Sequence, residues 1–210
     1  ALVWLYFLLK EEERCPQPRL VVFITFIAGM LAVPLVIPLE DLAAHHVSGQ
    51  WGIIVAWATI EETVKYLAAA LVIVLAKDAV RNSIDLVVTM LTIALGFAAL
   101  ENALFLLDPV SQGHFITGLV TNNLRFVGST LLHVIASSAI GFALAFSFES
   151  ARPLRTIAAS VGLILAIALH ALFNFLIIDG SGSFTLLAFF MVWSGAVVLF
   201  ARFEVLKYLR

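Results

Sequence analysis

Long apolar runs, separated by short polar connections, constrain the fold of this chain more than any other feature. Seven runs can be recognised, and they lie at roughly 1–9, 20–38, 51–76, 84–107, 123–148, 155–178 and 184–201. A helix needs about 20 apolar residues to cross a bilayer. Because lipid offers no partners for backbone N–H and C=O groups, only helices and closed barrels span it. Runs of this length predict an all-α, polytopic transmembrane helical bundle with about seven segments.

The composition agrees with a membrane protein. The chain is 62% hydrophobic and 12% charged, whereas soluble domains are about 45–50% apolar and about 25% charged. The first run is too short to span, so we expect the numbering to begin inside a truncated first transmembrane helix. No repeat or soluble segment interrupts the pattern, which predicts a single membrane-embedded domain over residues 1–210. The single cysteine, Cys15, excludes an internal disulfide and a cysteine-based metal cluster.

The basic residues predict the orientation of the bundle. Of the twelve Lys and Arg residues, only Lys65 and Arg125 fall inside apolar runs. The other ten lie in or beside the first, third and fifth connections and in the C-terminal tail. By the positive-inside rule, these connections and the C-terminus are cytoplasmic.

The second run carries two prolines close to its outer end. Pro34 and Pro38 predict a kink or the end of that helix. Residues 39–50 are then expected to form an exposed connection, in which His45 and His46 are solvated polar residues rather than metal ligands.

The third run carries three ionisable residues at membrane depth, Glu61, Glu62 and Lys65. Each such residue costs at least about 2.5–3.5 kcal/mol by insertion scales, so the group predicts a functional site. Lys65 can reach back to either carboxylate, because it follows them by four and three residues. Adjacent side chains point about 100° apart on a helix. We therefore expect Glu62 to face the histidines of later runs, and Glu61 to pair with Lys65 or an adjacent helix.

Three later runs carry further polar residues. These are Glu101 and Asn102 in the fourth run, Arg125 and His133 in the fifth, and His170 and Asn174 in the sixth. His170 and Asn174 are four residues apart and share a helix face. We expect Arg125 to orient rather than catalyse, and Ser129, Ser137 and Ser138 to be helix-packing hydroxyls.

The orientation allows the depth of these residues to be compared. At 1.5 Å per residue, Glu61, Glu62, Glu101, His133, His170 and Asn174 lie about 6–17 Å below the outer ends of their helices. Runs that cross in opposite directions thus converge on one layer in the outer half of the membrane. Lys65 lies deeper, at about 21 Å, where it can support a carboxylate from below.

The residues of this layer are suited to hydrolysis by two routes, and we expect the substrate bond to be a peptide bond. A carboxylate beside a histidine can activate water and later return the proton, while an asparagine or arginine binds the oxyanion. Alternatively, Glu62, Glu101, His133 and His170 supply ligands for a divalent metal with an open position for water.

At these residues the sequence resembles the PrsW family of membrane-embedded proteases, which is related to the CAAX prenyl endopeptidases and to bacteriocin-processing proteins. The resemblance rests on four motifs in order: Glu61-Glu62-x-x-Lys65, Phe97-x-x-x-Glu101-Asn102, an isolated His133, and His170-x-x-x-Asn174. It implies an endopeptidase in a prokaryotic plasma membrane that acts on membrane-associated peptides, with no nucleic-acid partner.

The resemblance also implies roles for individual residues. Glu61 or Glu62 activates water, His133 and His170 belong to the site, and Asn174 contacts a carbonyl or water. Both metal-dependent and metal-free glutamate mechanisms are compatible with the family, and a bound metal is expected to be zinc. Two other functions fit the same residues. A chain of buried carboxylates and histidines can form the proton or cation relay of a transporter, and an inactive homologue can serve as a scaffold.

Overall fold

The computed structural model describes residues 1–11, 17–113, 128–178 and 182–208. These residues form seven α-helices and no strand, which confirms the predicted helical bundle. The helices are α1 (Leu2–Glu11), α2 (Arg19–His46), α3 (Gln50–Leu75), α4 (Ser83–Ser111), α5 (Ser129–Phe146), α6 (Arg152–Ile178) and α7 (Gly182–Tyr208), with a short 3₁₀ helix at Lys77–Ala79.

Five of the described helices are long and apolar enough to cross a membrane, namely α2, α4, α5, α6 and α7. Helix α3 has a comparable length of 26 residues, but it carries the three charged residues in its middle. The outward faces of the bundle are apolar, as Leu35, Leu186 and Phe190 show by exposing 63%, 72% and 70% of their surface. Such faces suit a lipid environment.

Helix α4 forms the centre of the bundle and packs against α2, α3 and α5. Its contact with α2 depends on two glycines that allow the backbones to touch. A Cβ at Gly29 would collide with the carbonyl of Ile93, and one at Gly96 would collide with that of Phe26. This close approach fixes α2 along α4, on the side where α4 continues to Glu101.

The end of α2 differs from the sequence prediction, while a kink at Pro34 or Pro38 stays a prediction. The helix does not end at Pro34 or Pro38 but continues to His46. Both prolines lie on the exposed face, while Ala32, Val33 and Val36 on the opposite face pack against α4. We attribute the continuity to this packing, because proline is tolerated in membrane helices where neighbouring elements support the backbone.

The extension of α2 changes the environment of the residues after Pro38. Gly49, with φ of +82°, makes the turn into α3, so the last turns of α2 lie beside the first turns of α3. His45 and His46 are exposed at the end of the helix, whereas Glu40 lies on the helix and not in a connection.

Candidate active site

Four helices bring the predicted polar residues together inside the bundle. Helix α3 contributes Glu61, Glu62 and Lys65, and α4, α5 and α6 contribute Glu101, His133 and His170. Glu62 and Lys65 are fully buried, and Glu61, His133 and His170 expose no more than 5% of their surface. The side chain of Glu101 is 20% exposed, so the site is more open on the side of α4.

Glu62 is held by three short hydrogen bonds from three helices. Its Oε1 lies 2.8 Å from Lys65 Nζ and 2.8 Å from His170 Nδ1. Its Oε2 accepts a hydrogen bond of 2.8 Å from Ser137 Oγ. Because both oxygens are engaged at full burial, Glu62 is suited to fix its neighbours rather than to receive a substrate.

These contacts determine which ring nitrogen of each histidine carries a proton. A carboxylate only accepts, so His170 Nδ1 donates to Glu62, and in the neutral imidazole His170 Nε2 is then the nitrogen with the lone pair. An ammonium only donates, so His133 Nδ1 accepts from Lys65 Nζ at 2.8 Å. His133 Nε2 then carries the proton that is donated to Glu101 Oε2 at 3.0 Å.

Glu61 lies between the two nitrogens that carry lone pairs. Its Oε1 is 3.7 Å from His170 Nε2, and its Oε2 is 3.8 Å from His133 Nδ1 and 3.3 Å from Lys65 Nζ. Glu61, His133 and His170 each offer one ligand atom, and these atoms lie within 4.8 Å of one another. This is the group of described residues that can hold a metal ion.

The sequence-based ligand set differs from this group. It contained Glu62 and Glu101, whereas the structure groups Glu61 with the two histidines. The physical reason is that Glu62 is saturated by Lys65, Ser137 and the proton-bearing nitrogen of His170. The expected contacts of Glu62 with a histidine and of Glu61 with Lys65 are both present.

Lys65 supports the site from several directions. Its ammonium contacts both carboxylates of α3 and His133, and it lies 4.2 Å from the centroid of the Phe97 ring. The Phe97 ring also packs against that of His133, with 5.3 Å between centroids. Phe97, the first residue of the Phe97-x-x-x-Glu101 motif, therefore covers the Lys65 ammonium with the face of its ring.

The remaining predicted residues lie at the edge of the site. Asn102 Nδ2 donates to Thr130 Oγ1 at 3.0 Å and ties α4 to α5. Asn174 is half-buried, one helical turn after His170. Arg125 lies outside the described residues.

Two contacts near the site were not recognised from the sequence. Ser137 was read as a packing hydroxyl, but it donates to Glu62; its position four residues after His133, on the same helix face, was the available signal. Glu40 was expected in an exposed connection, but it is half-buried on α2, and its backbone carbonyl accepts a hydrogen bond of 3.1 Å from Trp57 Nε1. Ser129 also contacts a site carboxylate, with Oγ 3.4 Å from Glu101 Oε2. Ser138 donates within its own helix, as a packing hydroxyl does.

Comparison with known proteins adds one match. A family model described as PrsW family intramembrane metalloprotease matches residues 17–202 and therefore covers every site residue named above. Searches of curated proteins and of solved structures found no match.

Proposed function

Because the chain belongs to the PrsW family of intramembrane metalloproteases, we propose that it is a membrane-embedded endopeptidase that hydrolyses peptide bonds of membrane-associated substrates. The observation that supports this most is the position of Glu61 between His133 Nδ1 and His170 Nε2 inside an apolar bundle. A carboxylate beside unprotonated imidazole nitrogens is an arrangement that activates water.

We assign Glu61 as the carboxylate at which water is activated. Its contacts of 3.3–3.8 Å to Lys65, His170 and His133 are long, whereas those of Glu62 are short and complete. His170 Nε2, 3.7 Å from Glu61 Oε1, is placed to take up a proton and to return it to the leaving amine. The half-buried amide of Asn174 is proposed to bind the carbonyl of the substrate.

The same residues fit a divalent metal, and zinc in particular. Two histidines and one glutamate form a ligand set of hydrolytic zinc sites, and a fourth position stays open. Each histidine also donates its other N–H to a carboxylate, His170 to Glu62 and His133 to Glu101, as metal-bound histidines generally do. His133 would hold the metal through Nδ1 only if that atom gave up its contact with Lys65. A bound metal would polarise the scissile carbonyl and acidify water.

We further propose the location of the site in the cell. The ten basic residues in the odd connections and the tail support a cytoplasmic C-terminus in a prokaryotic plasma membrane. The depths of Glu61, His133 and His170 then support an active site in the outer half of the bilayer.

The test is cleavage of a panel of transmembrane peptides by the purified protein in nanodiscs. We expect the wild type and Glu149→Gln, a change at an exposed residue, to cleave the same peptides. Glu61→Gln and His170→Ala are expected to be inactive. Equal cleavage by all four proteins would refute the proposal.

Two further measurements separate the alternatives. Loss of cleavage with a chelator and its return with Zn²⁺ would support the metal-dependent route, while unchanged cleavage would support the metal-free route. Proton flux in liposomes without any cleavage would favour a transporter.

A further inference from the structure

Helices α5, α6 and α7 enclose a cavity that is separate from the candidate active site. Its volume is about 250 Å³, and apolar side chains form most of its wall, among them Leu132, Ile135, Phe142, Leu169, Met191 and Val198. Helix α7 packs against α5 and α6 more sparsely than these two helices pack against each other. The space between them is therefore not filled by the side chains of the protein.

The cavity has the length of one leaflet of a membrane. Its wall follows α7 from Met191 to Arg202, a distance of about 16 Å at 1.5 Å per residue. Leu132 and Leu169 precede the two site histidines in the chain, so the cavity begins at the depth of the site. The hydrocarbon core of a bilayer is about 30 Å thick, so one leaflet is about 15 Å. The cavity thus reaches from the middle of the bundle to the end at which α7 finishes.

The polar groups of the wall lie unevenly along this length. In the described wall only Ser138 and Arg202 have polar side chains. The Ser138 hydroxyl donates to the carbonyl of Ile135, so it is already engaged. Arg202 is exposed, and no hydrogen bond or ion pair joins it to another described residue. A guanidinium is always charged and binds phosphate through two hydrogen bonds. The cavity therefore suits a ligand with a long apolar part and a phosphate at one end.

We propose that the cavity binds one acyl chain of an anionic phospholipid, whose phosphate contacts Arg202. Arg152 and Arg155 lie in the first turn of α6, at the same end of the bundle as Arg202. Basic pockets between transmembrane helices at such an end bind anionic headgroups. The bound chain fills the gap beside α7 and joins this helix to the rest of the bundle. This lipid site goes beyond the proposed peptidase activity and does not depend on it.

The headgroup contact is tested by counting bound lipids with native mass spectrometry. Delipidated protein receives phosphatidylglycerol or phosphatidylcholine with identical acyl chains. We expect the wild type to retain one phosphatidylglycerol, bound about fivefold more tightly than phosphatidylcholine, the factor for one basic residue beside an anionic lipid. Arg202→Gln is expected to lose this preference, and Arg152→Gln, at an exposed position outside the wall, to keep it. A wild type without the preference, or equal effects of the two glutamine variants, would overturn the proposal.

The location of the acyl chain is tested by filling the cavity. Ala139→Phe adds a ring from α5, and Val198→Phe adds one from an exposed position of α7, so the result does not depend on the folding of a single variant. Both are expected to bind either lipid about tenfold more weakly, since displacing two buried methylene groups already has this effect. The matched control is Val197→Phe, which is 69% exposed and lies outside the wall; it should bind like the wild type. Unchanged binding in the folded Val198→Phe protein, or equal losses for Val197→Phe and Val198→Phe, would show that the lipid lies elsewhere.

Discussion

The two halves of the site are built differently. The inner half consists of Glu62, Lys65 and Ser137. These three residues are fully buried, and Glu62 contacts each of the other two at 2.8 Å. The outer half, formed by Glu61 and Glu101, is more accessible, and the Glu61 contacts with Lys65 and the histidines measure 3.3–3.8 Å.

This difference assigns opposite tasks to adjacent carboxylates. Complete hydrogen bonding of a buried charge stabilises one geometry, so the inner half acts as a scaffold. Long contacts around Glu61 leave space for an incoming group, so the outer half is where chemistry is expected. His133 and His170 connect the halves. His170 contacts Glu62 through Nδ1 and lies near Glu61 through Nε2, whereas His133 contacts Lys65 through Nδ1 and Glu101 through Nε2.

The largest effect is expected from Lys65→Met, which removes the only charge that contacts both carboxylates of α3 within the described structure. Loss of one partner from a buried ionic group costs about 3–5 kcal/mol. We expect a marked fall in the unfolding midpoint in detergent and no peptide cleavage. Lys77→Met, at an exposed position, is the control and should behave like the wild type. A fully stable Lys65→Met protein would show that the inner half is not a scaffold.

The comparison is sharpened by exchanging each carboxylate for an amide. Glu61→Gln is expected to lower the cleavage rate by about 10²–10⁴-fold, the range for loss of an acid–base group, with little change in the unfolding midpoint. Glu62→Gln weakens hydrogen bonds to a charged group, each worth about 1.5–3 kcal/mol, and is expected to lower the midpoint clearly. Cleavage rates and thermal unfolding of both variants check this. The reverse pattern would exchange the roles of the two residues.

Much of this arrangement could be predicted from the sequence because it depends on lengths and on charge. The apolar runs determine the helices, and the cost of burying ions indicates that Glu61, Glu101 and His133 must meet partners. The division of roles between Glu61 and Glu62 could not be predicted. It depends on the rotation of α3 against α5 and α6, which sequence spacing alone does not determine.

Two other features depend on tertiary packing. Pro34 and Pro38 indicate a helix end by local rules, and only the packing of the buried face of α2 along α4 explains why the helix continues to Glu40. The spacing of four residues from His133 places Ser137 on the face of that histidine, but only the packing of α5 against α3 shows that its hydroxyl meets Glu62.

The smallest effects are expected from two neighbouring serines, Ser137 and Ser138. Comparing their alanine variants tests whether a single hydrogen bond to Glu62 stabilises the inner half. Ser137→Ala removes one hydrogen bond to Glu62, for which we expect a loss of about 1.5–3 kcal/mol. Ser138→Ala removes a bond to a carbonyl of its own helix and is expected to cost less, about 0.5–1.5 kcal/mol, the range for a bond between neutral groups. Unfolding in a denaturing detergent measures both. Because the two changes delete the same atom from adjacent residues, equal losses would mean that the contact with Glu62 contributes nothing special, and the contrast between the halves would then rest on Lys65 alone.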